Sequence, residues 1–331
     1  MPDRVVARTG CRIDLAGGTL DIWPLGLLHE GARTVNLAID VPVEVELRRR
    51  DSGYAVQIGE ADYRTDTLDE MRHGADTALF AVIAREIDLG PVEARLASAS
   101  PRGGGLGASS AIGAALIAAA ERLDGVPERS PLERAHLGRD LEARLMGFPT
   151  GVQDHLPPQI GGALEIVYQP GGELVRRLDV DLDRLGDSLT IVYTGRSHFS
   201  GQTNWQVISR RLGGDPLTVE LFSRICEVAV AMVPALEAGD LETVGGLVGE
   251  EWSARRQLAK GVSTPEIETI LEAARRAGSW GGKAGGAGGG GCVAIVHPPG
   301  RRRAVRRAVA EAGGTVLSAP PTGAGLRVET P

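Results

Sequence analysis

Residues 101–111, PRGGGLGASSA, restrict this chain more than any other segment. Four glycines and two adjacent serines stand between the strand-like VEARLASAS and the helix-like AIGAALIAAAERL. A strand that runs through bare backbone straight into a helix points the helix's first N–H groups outward. Those groups lack intrahelical partners and sit at the positive end of the helix dipole. Glycines at 103, 104, 105 and 107 let backbone approach an anion with no Cβ in the way, so phosphate is the natural occupant. The hydroxyls of Ser109 and Ser110 can reach phosphate oxygens or a bound Mg²⁺. Tight packing of a helix start explains the same glycines without a ligand, and that reading stays open at this point.

Three known patterns compete for the segment. A Walker A loop needs a lysine that is absent. Gly103, Gly105 and Ala108 fit GxGxxA, but Asp124 ends the same helix instead of capping a second strand, so a dinucleotide fold is a poor match. GASSA approaches the hydrolase elbow GxSxG, which would make Ser109 a nucleophile served by Asp154 and His198.

Composition narrows the partners. A net charge of −7 offers no basic field for nucleic acid or an anionic membrane, which leaves a small molecule as the expected partner. The N-terminal residues lack the apolar core of a signal peptide, and no apolar run is long enough to span a bilayer, so a cytoplasmic protein is expected. Cys11, Cys226 and Cys292 are far apart and outside any metal-ligand spacing, so they read as small buried hydrophobes.

At 331 residues the chain has room for roughly two domains, at ~150 residues each. Strand patterns dominate the start (VVARTGCRIDL, TVNLAIDVPVEVELRRR, YAVQIG). In the second of these Val41, Val43, Val45 and Leu47 share one face and Glu44 and Glu46 the other. Helical patterns follow in DTALFAVIAREI, SSAIGAALIAAAERL and PLERAHLGRDLEARLMG, and again beyond about residue 215. ALEIVYQ, LTIVYTG, CVAIVHP and GLRVE read as further strands. The mixture predicts an α+β chain of two domains. A second glycine run, GGKAGGAGGGG, reads as a loop; it follows a helix and enters a strand, which suits a loop packed against the first glycine segment.

CRIDLAGGTLDIW, PRGGGLGASSA and GGKAGGAGGGGCVAIV, in this order and spacing, resemble the three motifs of the GHMP kinases. RIDLAGG, VNLAID, GFPTGVQDHL, YTGRS and EEWSARRQLAKGVS are most similar to the D-glycero-D-manno-heptose 7-phosphate kinases and related sugar 1-kinases within that family. The resemblance implies a two-domain α+β fold with a deep cleft between residues 1–180 and 181–331. ATP would sit on the second motif, at Gly103, Gly104, Gly105, Gly107, Ser109 and Ser110. It further implies Mg²⁺ on Ser109 and Glu142, Asp154 as catalytic base, Arg12 beside the transferring phosphoryl group, and Asp21 on the sugar hydroxyls. Gly18, Thr19, Arg196, Gly286 and Gly288 complete the expected substrate contacts. Phosphoryl transfer asks for positioning and charge neutralisation, which these residue types supply.

Taken singly, Arg12 and Asp21 read as surface charges, Glu142 as a solvated helix position and Asp154 as a turn residue. His155 reads as a satisfied or exposed histidine, and Arg196 and Lys283 as surface cations that can also contact phosphates. Departures from the family pattern stand at Cys11, Ala108 and Gly285, and GGTLD replaces GGGTD in the sugar-facing loop. The expected activity is an ATP-dependent phosphotransfer to a sugar or sugar phosphate by a monomer or homodimer. Its rivals are a kinase of a non-sugar alcohol and the Ser109 hydrolase.

Overall fold

Residues 2–197 and 201–331 are described by a computed structural model. Its strands are β1 (Arg4–Ala16), β2 (Arg33–Arg49), β3 (Tyr54–Ile58), β4 (Ala61–Thr65), β5 (Val92–Ser98), β6 (Ala163–Gln169), β7 (Gly172–Arg177), β8 (Leu189–Tyr193), β9 (Gly281–Ala284), β10 (Cys292–Val296), β11 (Thr315–Val316) and β12 (Arg327–Glu329). One sheet runs β12-β1-β2-β5-β3-β4, with β6 and β7 branching from β2, and the other runs β11-β8-β10-β9. The expected α+β class is what the chain adopts.

β1 and β2 are the spine. Residues 43–49 of β2 pair with β5 and residues 33–37 with β6, so one long strand serves two neighbours on the same side. Val41, Val43, Val45 and Leu47 are buried, while on the other face Pro42 is exposed and Glu44 and Glu46 are half-buried. From Thr34 to Ile39 every residue is buried, because that half of the strand is covered on both faces. The β1–β2 register slips at Gly10, where a Cβ would meet the Ile39 carbonyl oxygen at 2.3 Å.

The helix Ala108–Asp124 lies against β1 and β2 with most of its small apolar side chains buried. Alanine and glycine suit that place, because a slim helix packs closely on a sheet. Several elements differ from the sequence reading. GGKA, read as loop, is the strand β9; Gly281 crosses the helix Leu241–Arg255 so closely that a Cβ would lie 2.0 Å from the Gly245 carbonyl oxygen. Glycine there serves packing, which masks the strand. The short, mostly polar β4 and the helix Gly201–Leu212 were not read from the sequence. The three cysteines are free and buried, with burial pushing Cys11 up to about 11 and Cys292 up to about 12.

Candidate active site

The glycine segment leaves β5 and enters the helix Ala108–Asp124 at Gly107, whose φ of 72° is left-handed. Five helices start under a capping side chain, Ser130, Asp181, Asp215, Asp240 and Thr264 each accepting an N–H of the first turn, while others, such as Ala78–Glu86 and Arg302–Glu311, do not. The helix Ala108–Asp124 has no such cap. Its opening N–H groups are therefore left for another acceptor, which is the condition an anion site requires.

The second glycine run closes on the first. The Cys292 N–H donates to the Gly104 carbonyl at 2.8 Å, and a Cβ on Gly291 would lie 2.8 Å from that oxygen. A Cβ on Gly105 would lie 3.1 Å from the Gly285 carbonyl oxygen. Gly286 and Gly288 are left-handed as well, and a Cβ on Gly288 would meet the Val262 carbonyl oxygen at 2.2 Å. The two runs form a joint seam of bare backbone, as the expected packing of one loop on the other requires.

Arg12 lies beneath this seam, 2% exposed. Its backbone N–H donates to Leu106 at 3.0 Å, and its NH1 to the Gly105 carbonyl at 2.6 Å. Nε and NH2 hold the two oxygens of Asp154 at 2.9 and 2.5 Å. The guanidinium passes so close under Gly107 that a Cβ there would lie 3.2 Å from Nε. Burial works against the charge on Arg12, but Asp154, Asp14 and Asp21 outweigh it and hold its pKa above the ordinary value. Asp154 thus has a fixed orientation, and its side chain is 32% exposed on the open side.

Asp21 reaches the same place from the loop after β1. An isolated bridge between Ile22 and Gly151 draws the two segments together, and a Cβ on Gly151 would lie 1.6 Å from Asp21 Oδ2, so a side chain there would displace the Asp21 carboxylate. The Gln153 N–H and Nε2 donate to Asp21 at 3.3 and 3.2 Å. Burial first, and then the negative charge of Asp154, push the Asp21 carboxyl up to about 7 against the pull of Gln153 and Arg12.

Glu142 projects from the helix Pro131–Met146 toward the start of Ala108–Asp124. Ser110 Oγ, buried, donates to its two oxygens at 3.0 and 3.1 Å. Ser109 is exposed at the same helix start and its hydroxyl also bears on Glu142. His155 is fully buried, its Nε2 3.2 Å from Glu142 Oε2, an ion-pair contact. Burial, the largest influence on Glu142, pushes its pKa up; His155, Ser110 and Ser109 together bring it below the ordinary value. Among the described residues no group of three or more His, Cys, Asp or Glu could hold an ion alone. One carboxylate with neighbouring hydroxyls fits Mg²⁺, which keeps several waters and binds through substrate phosphates.

The surface readings of Arg12 and Asp21 give way to buried, paired side chains. Lys283 departs furthest from its surface reading: it is 0% exposed, with Nζ 2.5 Å from Asp14 Oδ2 and 3.1 Å from Glu251 Oε2. Its partners lie far away in sequence, so spacing gave no signal. Glu251 and Arg255, equally buried, were not singled out by sequence reasoning at all. Arg196 does lie at the surface, 3.3 Å from Glu266, and its backbone carbonyl accepts from the Gly291 N–H at 2.8 Å. In the hydrolase reading Asp154 would orient a histidine; its partner here is Arg12, and His198 lies outside the described residues.

Comparison with known proteins agrees with this geometry. Residues 76–162 match the model of the GHMP kinases N terminal domain, and residues 232–315 match the model of the GHMP kinases C terminal domain. The L-fucokinase/L-fucose-1-P guanylyltransferase of Bacteroides fragilis is 26% identical over 82% of this chain and 32% of its own length. The chain thus spans about a third of that bifunctional relative. A mevalonate kinase of Thermococcus sibiricus is 29% identical over 85% of each chain. Among solved structures, a D-glycero-D-manno-heptose 1-phosphate kinase from Bacteroides thetaiotaomicron superposes with a TM-score of 0.78 at 20% identity, covering 98% of each chain. With both domain models matched in order around an uncapped, glycine-lined helix start and its Arg12–Asp154 pair, the chain belongs to the GHMP kinase family.

Proposed function

We propose that this chain is an ATP-dependent sugar kinase that moves the γ-phosphoryl group to a sugar hydroxyl, with the anomeric hydroxyl of D-glycero-D-manno-heptose 7-phosphate or a related sugar as acceptor. The observation that carries the reading is the meeting of three parts: an uncapped helix start lined by glycine, a carboxylate locked by a buried arginine, and a second buried carboxylate beside it.

In this reading the first-turn N–H groups of Ala108–Asp124, with Gly103, Gly104, Gly105 and Gly107, bind the phosphates of ATP. Glu142, Ser110 and Ser109 hold Mg²⁺, which neutralises phosphate charge when bound. Asp154, oriented by Arg12, takes the proton of the acceptor hydroxyl as that oxygen attacks phosphorus. Arg12 keeps its charge throughout and steadies the negative charge that develops nearby. Asp21, Gly18 and Thr19 bind the acceptor's other hydroxyls, and Gly286 and Gly288 flank it from the second glycine run. For a 7-phosphate acceptor, Arg196 would leave Glu266 to reach the phosphate. A cytoplasmic monomer or homodimer is the working form we assign.

The mevalonate kinase relative favours a second reading, a non-sugar alcohol. Against it stands the buried polar loop with Asp21, which suits a polyhydroxylated acceptor. Mg²⁺-dependent ADP release tests the choice across heptose 7-phosphate, mannose, fucose, galactose and their 6-phosphates, with mevalonate and homoserine as controls. Turnover of one sugar, phosphorylated at C1, supports the first reading. Turnover of a control alone overturns it.

A further inference from the structure

Beneath the loop that carries Asp21 lie four charged side chains with no direct part in the chemistry above. Asp14, Glu251, Arg255 and Lys283 are each no more than 2% exposed. Lys283 Nζ donates to Asp14 Oδ2 at 2.5 Å and stands 3.1 Å from Glu251 Oε2. Arg255 donates to Glu251 Oε1 through Nε at 2.8 Å and NH2 at 2.5 Å. Two cations and two anions balance, so the group is neutral overall. Buried ion pairs are poor sources of stability, because desolvation offsets most of their attraction. A geometric role explains them better, and their remaining bonds point to one.

Arg255 NH1 donates to Thr19 Oγ1 at 2.9 Å, and NH2 donates to the Gly18 carbonyl at 2.7 Å. Thr19 has a φ of 71°, left-handed backbone that a β-branched residue avoids. A Cβ on Gly18 would lie 2.9 Å from Arg255 NH2 and 3.0 Å from Asp14 Oδ2, so the loop rests directly on the charged group. At its other end Asp14 Oδ1 accepts from the Gly286 N–H at 3.0 Å. The helix Leu241–Arg255 therefore reaches across to fix a strained turn after β1.

We propose that Arg255, braced by Glu251, Lys283 and Asp14, is a positioning residue that holds Gly18 and the left-handed Thr19 in the turn presenting the acceptor-binding groups beside Asp21, and so sets acceptor affinity without touching the phosphoryl donor. The proposal rests on reading residues 17–21 as the acceptor loop.

Amide hydrogen exchange tests the positioning without any acceptor. In Arg255→Lys, which keeps the buried charge but loses the fork, exchange over residues 17–23 is expected to quicken about tenfold while residues 103–112 keep their wild-type rate. Where that variant does not fold, Thr19→Ala removes the accepting hydroxyl, leaves the four charges intact and carries the same expectation. An unchanged rate over 17–23, or an equal rise in both segments, overturns the proposal. With the sugar that the wild-type chain phosphorylates, the Arg255 variant is expected to raise the acceptor KM about tenfold and leave kcat and the ATP KM within about twofold. Asp21→Asn judges the underlying reading separately: an unchanged acceptor KM in that variant removes the acceptor-loop assignment, whereas the exchange result alone decides the role of Arg255.

Discussion

Ser110 Oγ lies 3.0 and 3.1 Å from the two oxygens of Glu142, so the second serine of the pair, and not only the first, faces the carboxylate assigned to the metal. Ser110 is 3% exposed, whereas Ser109 lies at the surface of the same turn.

That arrangement ranks the two hydroxyls. Ser110→Ala is expected to raise the Mg²⁺ concentration for half-maximal ADP release by about 10- to 100-fold, the usual cost of losing a group that orients a metal ligand. Ser109→Ala is expected to have the smaller effect. A Mg²⁺ titration of both variants checks the order; the reverse order assigns the metal-facing role to Ser109, as the family motif implies.

Asp154→Asn is expected to lower kcat by about 10²- to 10⁴-fold, the range for a lost general base, and to leave the affinity for a non-hydrolysable ATP analogue nearly unchanged. It also leaves Arg12 buried without its main counterion. Because Asp154 is partly open to solvent, the stability loss is expected to stay near ~1–3 kcal/mol, below that of a fully buried pair. Single-turnover kinetics and denaturant titration measure the two effects. Near-normal turnover removes Asp154 from the role of base.

Asp21 gives stability a pH dependence of definite sign. Its folded pKa of about 7 stands above the 3.8 of an ordinary aspartate. Between those values the folded chain keeps a proton that the unfolded chain has released, so this group's contribution is lost as pH rises from about 4 to about 7. Relative to Asp21→Asn, the wild-type chain is expected to be less stable at pH 8 than at pH 5 by about 2–3 kcal/mol. Urea denaturation of both chains at the two pH values measures the difference. Equal pH dependence in the two chains means that Asp21 is not held protonated.

How much of this was legible in the sequence follows from the range of each interaction. The alternation at Val41, Val43, Val45 and Leu47 survives because one strand face alone decides it. The glycine segment was legible because its demand is local, namely left-handed backbone before a helix. That Gly107 must also clear the Arg12 guanidinium was not, since the two meet only in the fold. Lys283 was misread as a surface cation for the same reason, its partners Asp14 and Glu251 coming from other elements. Glu251 and Arg255 form an i,i+4 pair, a spacing that on an exposed helix means little, and only burial gives it weight.

One residue, Arg12, fixes the glycine segment through Leu106 and Gly105 and fixes Asp154 through both carboxylate oxygens. The proposed donor site and the proposed base therefore share a single mount. A displacement of β1 carries both together, as common-mode motion, and leaves the gap between them almost constant. In the proposed transfer, the spacing of donor and base thus has one mechanical origin, a single buried guanidinium.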